Sequence, residues 1–228
     1  MKRKPIAIVL AVVLFLAALG MTLYPIISNY INQKYASEIH TAYQEVMQQT
    51  DDSALQEARK LAISYNESIV PGAAEVDSYS QESLIAASED YENLLNITGE
   101  GTMCYVKIPK IDVNLPVYHG TGNDSLDRGV GHLLGSSLPV GGESTHAILT
   151  GHCGMASQKM FTDLELLEIG DVFYIDVLNE TLAYQVEDIN VVEPHDTSLL
   201  GIEPGRDLCT LITCTPYGVN SHRLLVCG

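Results

Sequence analysis

Residues Ile6 to Tyr24 carry no charged side chain, a run of 19 residues that constrains this chain more than any other feature. A helix needs about 20 apolar residues to cross a bilayer, whereas the apolar core of a cleaved leader is about 7–15 residues long. No small-x-small cleavage pattern closes the run at Tyr24-Pro25. Lys2, Arg3 and Lys4 precede it, and basic residues on that side alone place the N-terminus in the cytoplasm. The expectation is an uncleaved, single-pass membrane anchor over residues 1–25, with the rest of the chain outside the cytoplasm.

The rest of the chain is strongly acidic. Its formal net charge is −17, and all 29 acidic residues lie at Glu38 or later. Such a body repels nucleic acid and favours solubility. The five cysteines, at 104, 153, 209, 214 and 227, form no C-x-x-C pair and no zinc spacing. Neither a disulfide framework nor a metal site is expected, and no motif calls for a cofactor. If Cys209 and Cys227 sit on the two strands of one hairpin, period-two alternation turns them to opposite faces, so they cannot bond. Cys104, Cys153, Cys209 and Cys227 read as small core or near-surface thiols.

Residues 26–98 read as polar helices over Ile26 to Gln49, Ser53 to Tyr65 and Gln81 to Leu95, with Ser53 and Ser80 as N-caps. A Pro71-Gly72 turn opens the connector between the last two. From 99 to 228 the texture changes to short β-prone runs: Cys104 to Ile108, Leu115 to Tyr118, His146 to Thr150, Val172 to Val177, Leu182 to Val192, Leu208 to Cys214 and Arg223 to Cys227. Regular short strands point to a closed or sandwich β fold. Ser157 to Leu167 is the one helix expected among them. Asn96-Ile97-Thr98 and the glycine-rich Gly120 to Ser125 are read as loops, since Ser125 stands where a dinucleotide loop needs its third glycine.

Chemistry concentrates near the end of the chain. The run Thr210-Leu211-Ile212-Thr213-Cys214 ends on a cysteine, Pro216 to Gly218 break it, and His222 to Val226 return. Cys214 thus falls at a strand end, where a nearby cation can favour the thiolate that makes cysteine a nucleophile. Arg223 is the nearest cation and faces Cys214 if the strands pair antiparallel. His152 ends another buried-looking strand and can face a strand-end thiol. Acyl transfer from an amide needs a nucleophile, an acid for the departing amine and positive charge at the oxyanion, which this trio supplies. His222 should point to the opposite face from Arg223. His119, His132 and His146 read as structural.

TLITC followed by TPYGVNSHRLLV, with YVKIPKIDVNLPVYHG, GHLLGSSLPVGGESTHAILTGH and FTDLELLEIGDVFYI upstream, strongly resembles the sortases, specifically the pilus-assembling class C. The resemblance covers Gly101 to the end. It implies a mainly β fold, an eight-stranded barrel behind a helical extension and one transmembrane helix. It also implies that Cys214 is nucleophile, His152 general acid/base, Arg223 stabiliser of substrate or oxyanion, and Thr213 a substrate contact. The implied reaction cleaves an LPXTG-like sorting signal between Thr and Gly and joins the acyl group to a pilin lysine. The partners would be pilins or other surface proteins, met by a monomeric extracytoplasmic domain. Class C members carry a lid with an Asp-Pro-aromatic motif; here Asp77-Ser78-Tyr79 keeps the acid and the aromatic without the proline. Three further departures are Cys153 and Cys227, where the family usually has Arg, and the lack of a C-terminal membrane helix, which reads as a real difference or a trimmed chain. Anchoring of surface proteins to the cell-wall peptide is the alternative within the family. A non-enzymatic metal-binding module using His152, Cys153, Cys214 and His222 is the alternative outside it. A papain-like protease is disfavoured because the order here is His then Cys and its local signature is missing.

Overall fold

Apolar and β-branched residues at alternate positions favour strands, because only a pleated backbone collects them on one face. In the computed structural model, which describes residues 3–69, 89–155 and 158–228, nine strands form one sheet. They are β1 (Thr102–Ile108), β2 (Val113–His119), β3 (Val130–His132), β4 (Thr145–Thr150), β5 (Val172–Val177), β6 (Glu180–Gln185), β7 (Asp188–Val192), β8 (Asp207–Thr215) and β9 (His222–Cys227). Their order across the sheet is β6-β5-β1-β2-β3-β4-β8-β9-β7. The pairs β2–β3 and β4–β8 are parallel, and the others are antiparallel.

The two edge strands, β6 and β7, are consecutive in sequence and joined only by Val186-Glu187. The run expected as one strand, Leu182 to Val192, is therefore divided. Val186 N donates to Asp171 O, Gly170 N donates to Val186 O, and Glu187 N donates to Cys227 O. These bonds turn the chain from one edge of the sheet to the other and curl it towards closure. Nine strands stand where eight were implied because this single run serves both edges. β3 has no sequence signal of its own, being only Val-Gly-His.

One face of the sheet packs the main core, which includes Tyr105, Phe161, Phe173, Cys209 and Leu211. The other face carries a smaller cluster of Leu133, Ile148, Leu200, Ile212 and Leu225.

Helix α1 (Arg3–Gln49) runs through Pro25 without a break, so the apolar run and the first polar helix are one element. Proline removes a single backbone donor, and the long helix carries that loss. Its N-terminal part exposes Ile6, Leu10, Phe15 and Leu23, whereas His40, Tyr43 and Met47 are buried against the barrel. Their i, i+3, i+7 spacing is that of one helix face. Tyr43 Oη accepts from Leu178 N at 3.0 Å and lies 3.4 Å from Met103 O. His40 Nε2 lies 3.3 Å from Asp176 Oδ2, which also pairs with Lys107. Burial lowers the His40 pKa. Burial alone would raise that of Asp176, but bonds from Lys107 and Thr181 hold it below the usual carboxylate value.

Helix α2 (Asp52–Ser68) starts earlier than expected. Asp51 takes the N-cap position in extended backbone, and the Ser53 hydroxyl donates to the Asp51 carboxylate instead of capping. Of the third expected helix, α3 (Glu89–Asn93) is described. Residues 70–88, with Ser80, Asp77 and Tyr79, lie outside the described residues. The helix expected over Ser157 to Leu167 is replaced by turns and a 3₁₀ segment, Leu164–Leu166. Met160 has φ +44°, and Phe161 N donates to His152 O, so the helical ladder cannot form there. The glycine-rich 120–125 stretch is a turn into the short helix α4 (Asn123–Leu126).

Buried Asn66 fastens α2 to the barrel through both ends of its amide: Nδ2 donates to Leu138 O at 3.1 Å, and Oδ1 accepts from Leu138 N at 2.7 Å. Asn66→Ala should lower unfolding stability by about 1–3 kcal/mol for each buried partner left unsatisfied, read from urea denaturation of the purified protein. A loss no larger than that of an exposed α2 substitution such as Glu57→Ala would contradict this docking role.

Candidate active site

Cys214 is the penultimate residue of β8 and half-buried. The antiparallel register sets it directly opposite Arg223 near the start of β9. Directly opposed residues share a face with Cβ atoms about 4.5–5.5 Å apart, so thiol and guanidinium lie on one side of the hairpin, as the spacing predicts. The connecting loop has a cis Thr215-Pro216 bond and φ +59° at Asn220. Arg223 Nη1 donates to His222 O at 3.3 Å and lies 3.5 Å from Asn220 O, so the loop carbonyls hold the head of the side chain.

His152 arrives from the other side of β8. β4 runs parallel to β8, with Thr150 level with Ile212. Gly151 N donates to Ile212 O at 3.0 Å, and Thr213 Oγ1 donates to Gly151 O at 2.7 Å. These bonds carry the parallel register past the end of β4. Two residues beyond Thr150 the chain reaches His152, and two beyond Ile212 it reaches Cys214. Period-two alternation puts His152, Cys214 and Arg223 on the face of Ile148, Ile212 and Leu225. Gly151 admits no side chain, since a Cβ there would stand 2.8 Å from the Phe161 ring.

Thr213, expected to touch substrate, is buried, and its hydroxyl fastens the segment that carries His152. His222 turns away, as alternation predicts: its Nε2 lies 3.4 Å from Glu193 Oε1. It is thereby separated from Cys214, with which the metal-binding alternative would pair it. Among the described residues no group of His, Cys, Asp and Glu could hold a metal ion.

The other histidines expected to be structural are held inside the fold. His132 Nε2 donates to Ser137 O at 2.9 Å, so its Nδ1 accepts from Tyr91 Oη at 2.9 Å, and burial lowers its pKa to about 4. His146 bonds Gly201 O and Thr210 Oγ1. His119 bonds Leu94 O at 2.7 Å. The five cysteines are free. Cys209 is in the main core, whereas Cys227 faces a cleft shared with Thr210 and Leu225 on the opposite side of the sheet.

Two neighbours of the trio were given no catalytic role by the sequence. Asp127, just after α4, brings Oδ1 to 3.9 Å from His152 Nε2. Burial lowers the His152 pKa, and the Asp127 charge partly opposes that shift. Asp127 lies 25 residues from His152, and no spacing in the sequence links them. Cys153 is the other neighbour. Burial, then the charge of Cys214, raises its pKa.

The fold recurs in known proteins. The description of the sortase domain matches residues 106–228. Sortase A of Streptococcus agalactiae serotype III is 30% identical over 143 residues, which are 61% of this chain and 55% of that protein, so the chain spans little more than half the length of this relative. The crystal structure of sortase C-1 from Actinomyces oris is 48% identical, covers 77% of this chain and 97% of its own, and superposes with a TM-score of 0.72. Sortase C of Streptococcus pneumoniae is 41% identical, with coverage of 84% and 95% and a TM-score of 0.77. The shared barrel, the matched domain and the identities above 40% to two class C structures lead to one assignment: the chain belongs to the sortase family, and within it to class C.

Proposed function

We propose that the chain is a membrane-anchored cysteine transpeptidase that acts outside the cytoplasm on surface proteins bearing an LPXTG-like sorting signal. The observation that carries this reading is the cross-strand pairing of Cys214 with Arg223, joined by His152 through the parallel β4–β8 register. The Cys214 thiolate adds to the Thr carbonyl carbon, and the Thr–Gly bond breaks as His152 gives its proton to the departing amine. The product is a thioester on Cys214. A lysine amine of a pilin then adds to the same carbon, yields its proton to His152, and displaces the sulfur. Arg223 meets the oxyanion in both halves with a cation that stays charged and offers a planar fork of donors. Thr213 enters as a positioning residue through Gly151.

Class C membership favours a pilin as acceptor, since the relative in Streptococcus pneumoniae is described by its pilin substrate specificity. The apolar segment of α1, long enough to cross a bilayer, supports the anchor.

Cys214→Ala should abolish covalent joining of a sorting-signal protein to a pilin, and His152→Ala should cost about 10²–10⁴-fold in rate. Arg223→Lys keeps the charge but loses the fork, so it should be strongly impaired. Unimpaired ladder formation by Cys214→Ala would overturn the assignment, and wild-type rates in Arg223→Lys would reduce the arginine to a bare charge.

The activity should follow a bell-shaped pH profile whose limbs belong to the coupled thiol and imidazole. Because the Asp127 charge raises the His152 pKa against burial, Asp127→Asn should lower it further and move the profile to lower pH. A profile that stays in place, or moves to higher pH, would show that Asp127 does not act on His152.

A further inference from the structure

Strand directions fix which end of the barrel carries the chemistry. Cys214 and Thr215 close β8, and β4 is parallel to β8, so the β4–β5 connection and the β8–β9 loop share one end. β3 is antiparallel to β4, β2 parallel to β3, β1 antiparallel to β2, and β5 antiparallel to β1. The end of β1, the start of β2 and the start of β5 therefore lie at this catalytic end as well.

Helix α1 meets the barrel in a definite direction. Asn29 Oδ1 accepts from Lys159 N at 3.1 Å, in the connection that follows His152. A cavity of about 230 Å³ beside this contact is lined by Asn29, Asn32 and Ser37 of α1 and by Asp112 and Asn114 at the start of β2. Further along α1, Tyr43 bonds Met103, at the start of β1, and Leu178, just past the end of β5. The helix thus runs from the catalytic end to the far end. The run read as the membrane span, Ile6 to Tyr24, ends five residues before Asn29, and α1 stays uncharged as far as Gln33, so at 1.5 Å per residue the Lys159 contact stands only about 8 Å along the helix from the span. That is about the depth of a lipid headgroup layer.

The surface at this end differs from the rest of the barrel. Among the described residues from Thr102 to Gly228, six large apolar side chains are exposed: Leu166, Ile169, Val191, Leu199, Tyr217 and Val219. Leu166 and Ile169 precede β5, Tyr217 and Val219 form the β8–β9 loop, and Val191 is one residue from the end of β7 that pairs with Arg223. Five of the six are therefore at or beside the catalytic end. Leu199 alone lies towards the other end, in the cleft with Asp188 and Cys227.

We propose that the catalytic end of the barrel docks on the outer surface of the bilayer that holds α1, with Leu166, Ile169, Tyr217 and Val219 entering the headgroup layer. Exposure of 55–70% for these four side chains is costly in water and is relieved at such an interface, where an aromatic ring with a polar tip is favoured. Lys110, at this end, is already paired with Glu168 and Asp171, so the contact is apolar rather than a basic patch on anionic lipid. The proposal rests on α1 being a membrane anchor. Its consequence is that Cys214 opens close to the bilayer and receives polypeptides whose scissile bond is held near the membrane surface.

The test uses the full chain, reconstituted in vesicles of phosphatidylcholine and phosphatidylglycerol that contain a phospholipid with a photoreactive diazirine near its headgroup. After irradiation and proteolysis, lipid adducts are mapped by mass spectrometry. The expected result is adducts in residues 6–24 and also on the peptides containing Leu166–Ile169 and Tyr217–Val219, several-fold above the Leu199 peptide. The pair Ile169→Ser and Val219→Ser should lower the barrel adducts while leaving those on α1. Adducts on 6–24 with none at the barrel end would overturn the docking alone, as would equal labelling of Leu199 or protein–protein crosslinks between two copies at that face. Lack of adducts on 6–24 would overturn the anchor and the docking with it.

Discussion

The parallel pairing of β4 with β8 is the constraint on which the candidate site depends. Parallel neighbours cannot be joined by a tight turn, so β4 and β8 are brought side by side only after the chain has built β5, β6 and β7 between them. Six register pairs, from Thr145↔Asp207 to Thr150↔Ile212, fix the slide of one strand on the other. A slip of one residue would turn His152 away from the face that Cys214 shares with Arg223. The Thr213 hydroxyl on Gly151 O and the Gly151 amide on Ile212 O hold that register where the ladder runs out. His152, Cys214 and Arg223 are thus carried at strand ends whose relative height is set by the sheet.

The helical extension contributes a second kind of fixation. Its amphipathic half is bonded to the barrel by Asn66, Tyr43 and His40, each a buried polar group with a partner across the interface. Buried polar bonds of this kind add modest net stability but disfavour other dockings, because a displaced helix would leave several groups unsatisfied. Asp176 collects His40, Lys107 and Thr181 at one point beside β1, β5 and β6. The direction of α1 relative to the strands follows from these contacts.

Much of this was legible in the residues. The β8–β9 hairpin follows from β-prone runs around Pro216-Tyr217-Gly218, and period two then places Cys214 with Arg223, His222 on the other face, and Cys209 away from Cys227. The uncharged run at the N-terminus was readable as an apolar span because length and lack of charge are local properties. What the sequence hid depends on long-range contacts. The break at Val186-Glu187 reflects bonds to Asp171 and Cys227, 15 and 40 residues away. The helix expected over Ser157 to Leu167 gives way because His152 O captures the Phe161 amide. Asp127 reaches His152 only because α4 packs on β3, which pairs with β4, and the bond from the Thr213 hydroxyl to Gly151 O spans 62 residues.

The central claim is that acyl transfer passes through a thioester on Cys214. Intact-mass and peptide mapping after an acid quench, with the protein mixed with an LPXTG-containing peptide and no amine acceptor, tests it directly. The account predicts a mass increase equal to the peptide portion ending at Thr, located on Cys214 and removed by hydroxylamine. An adduct on Cys153, or cleavage of the peptide with unmodified protein throughout, would contradict it.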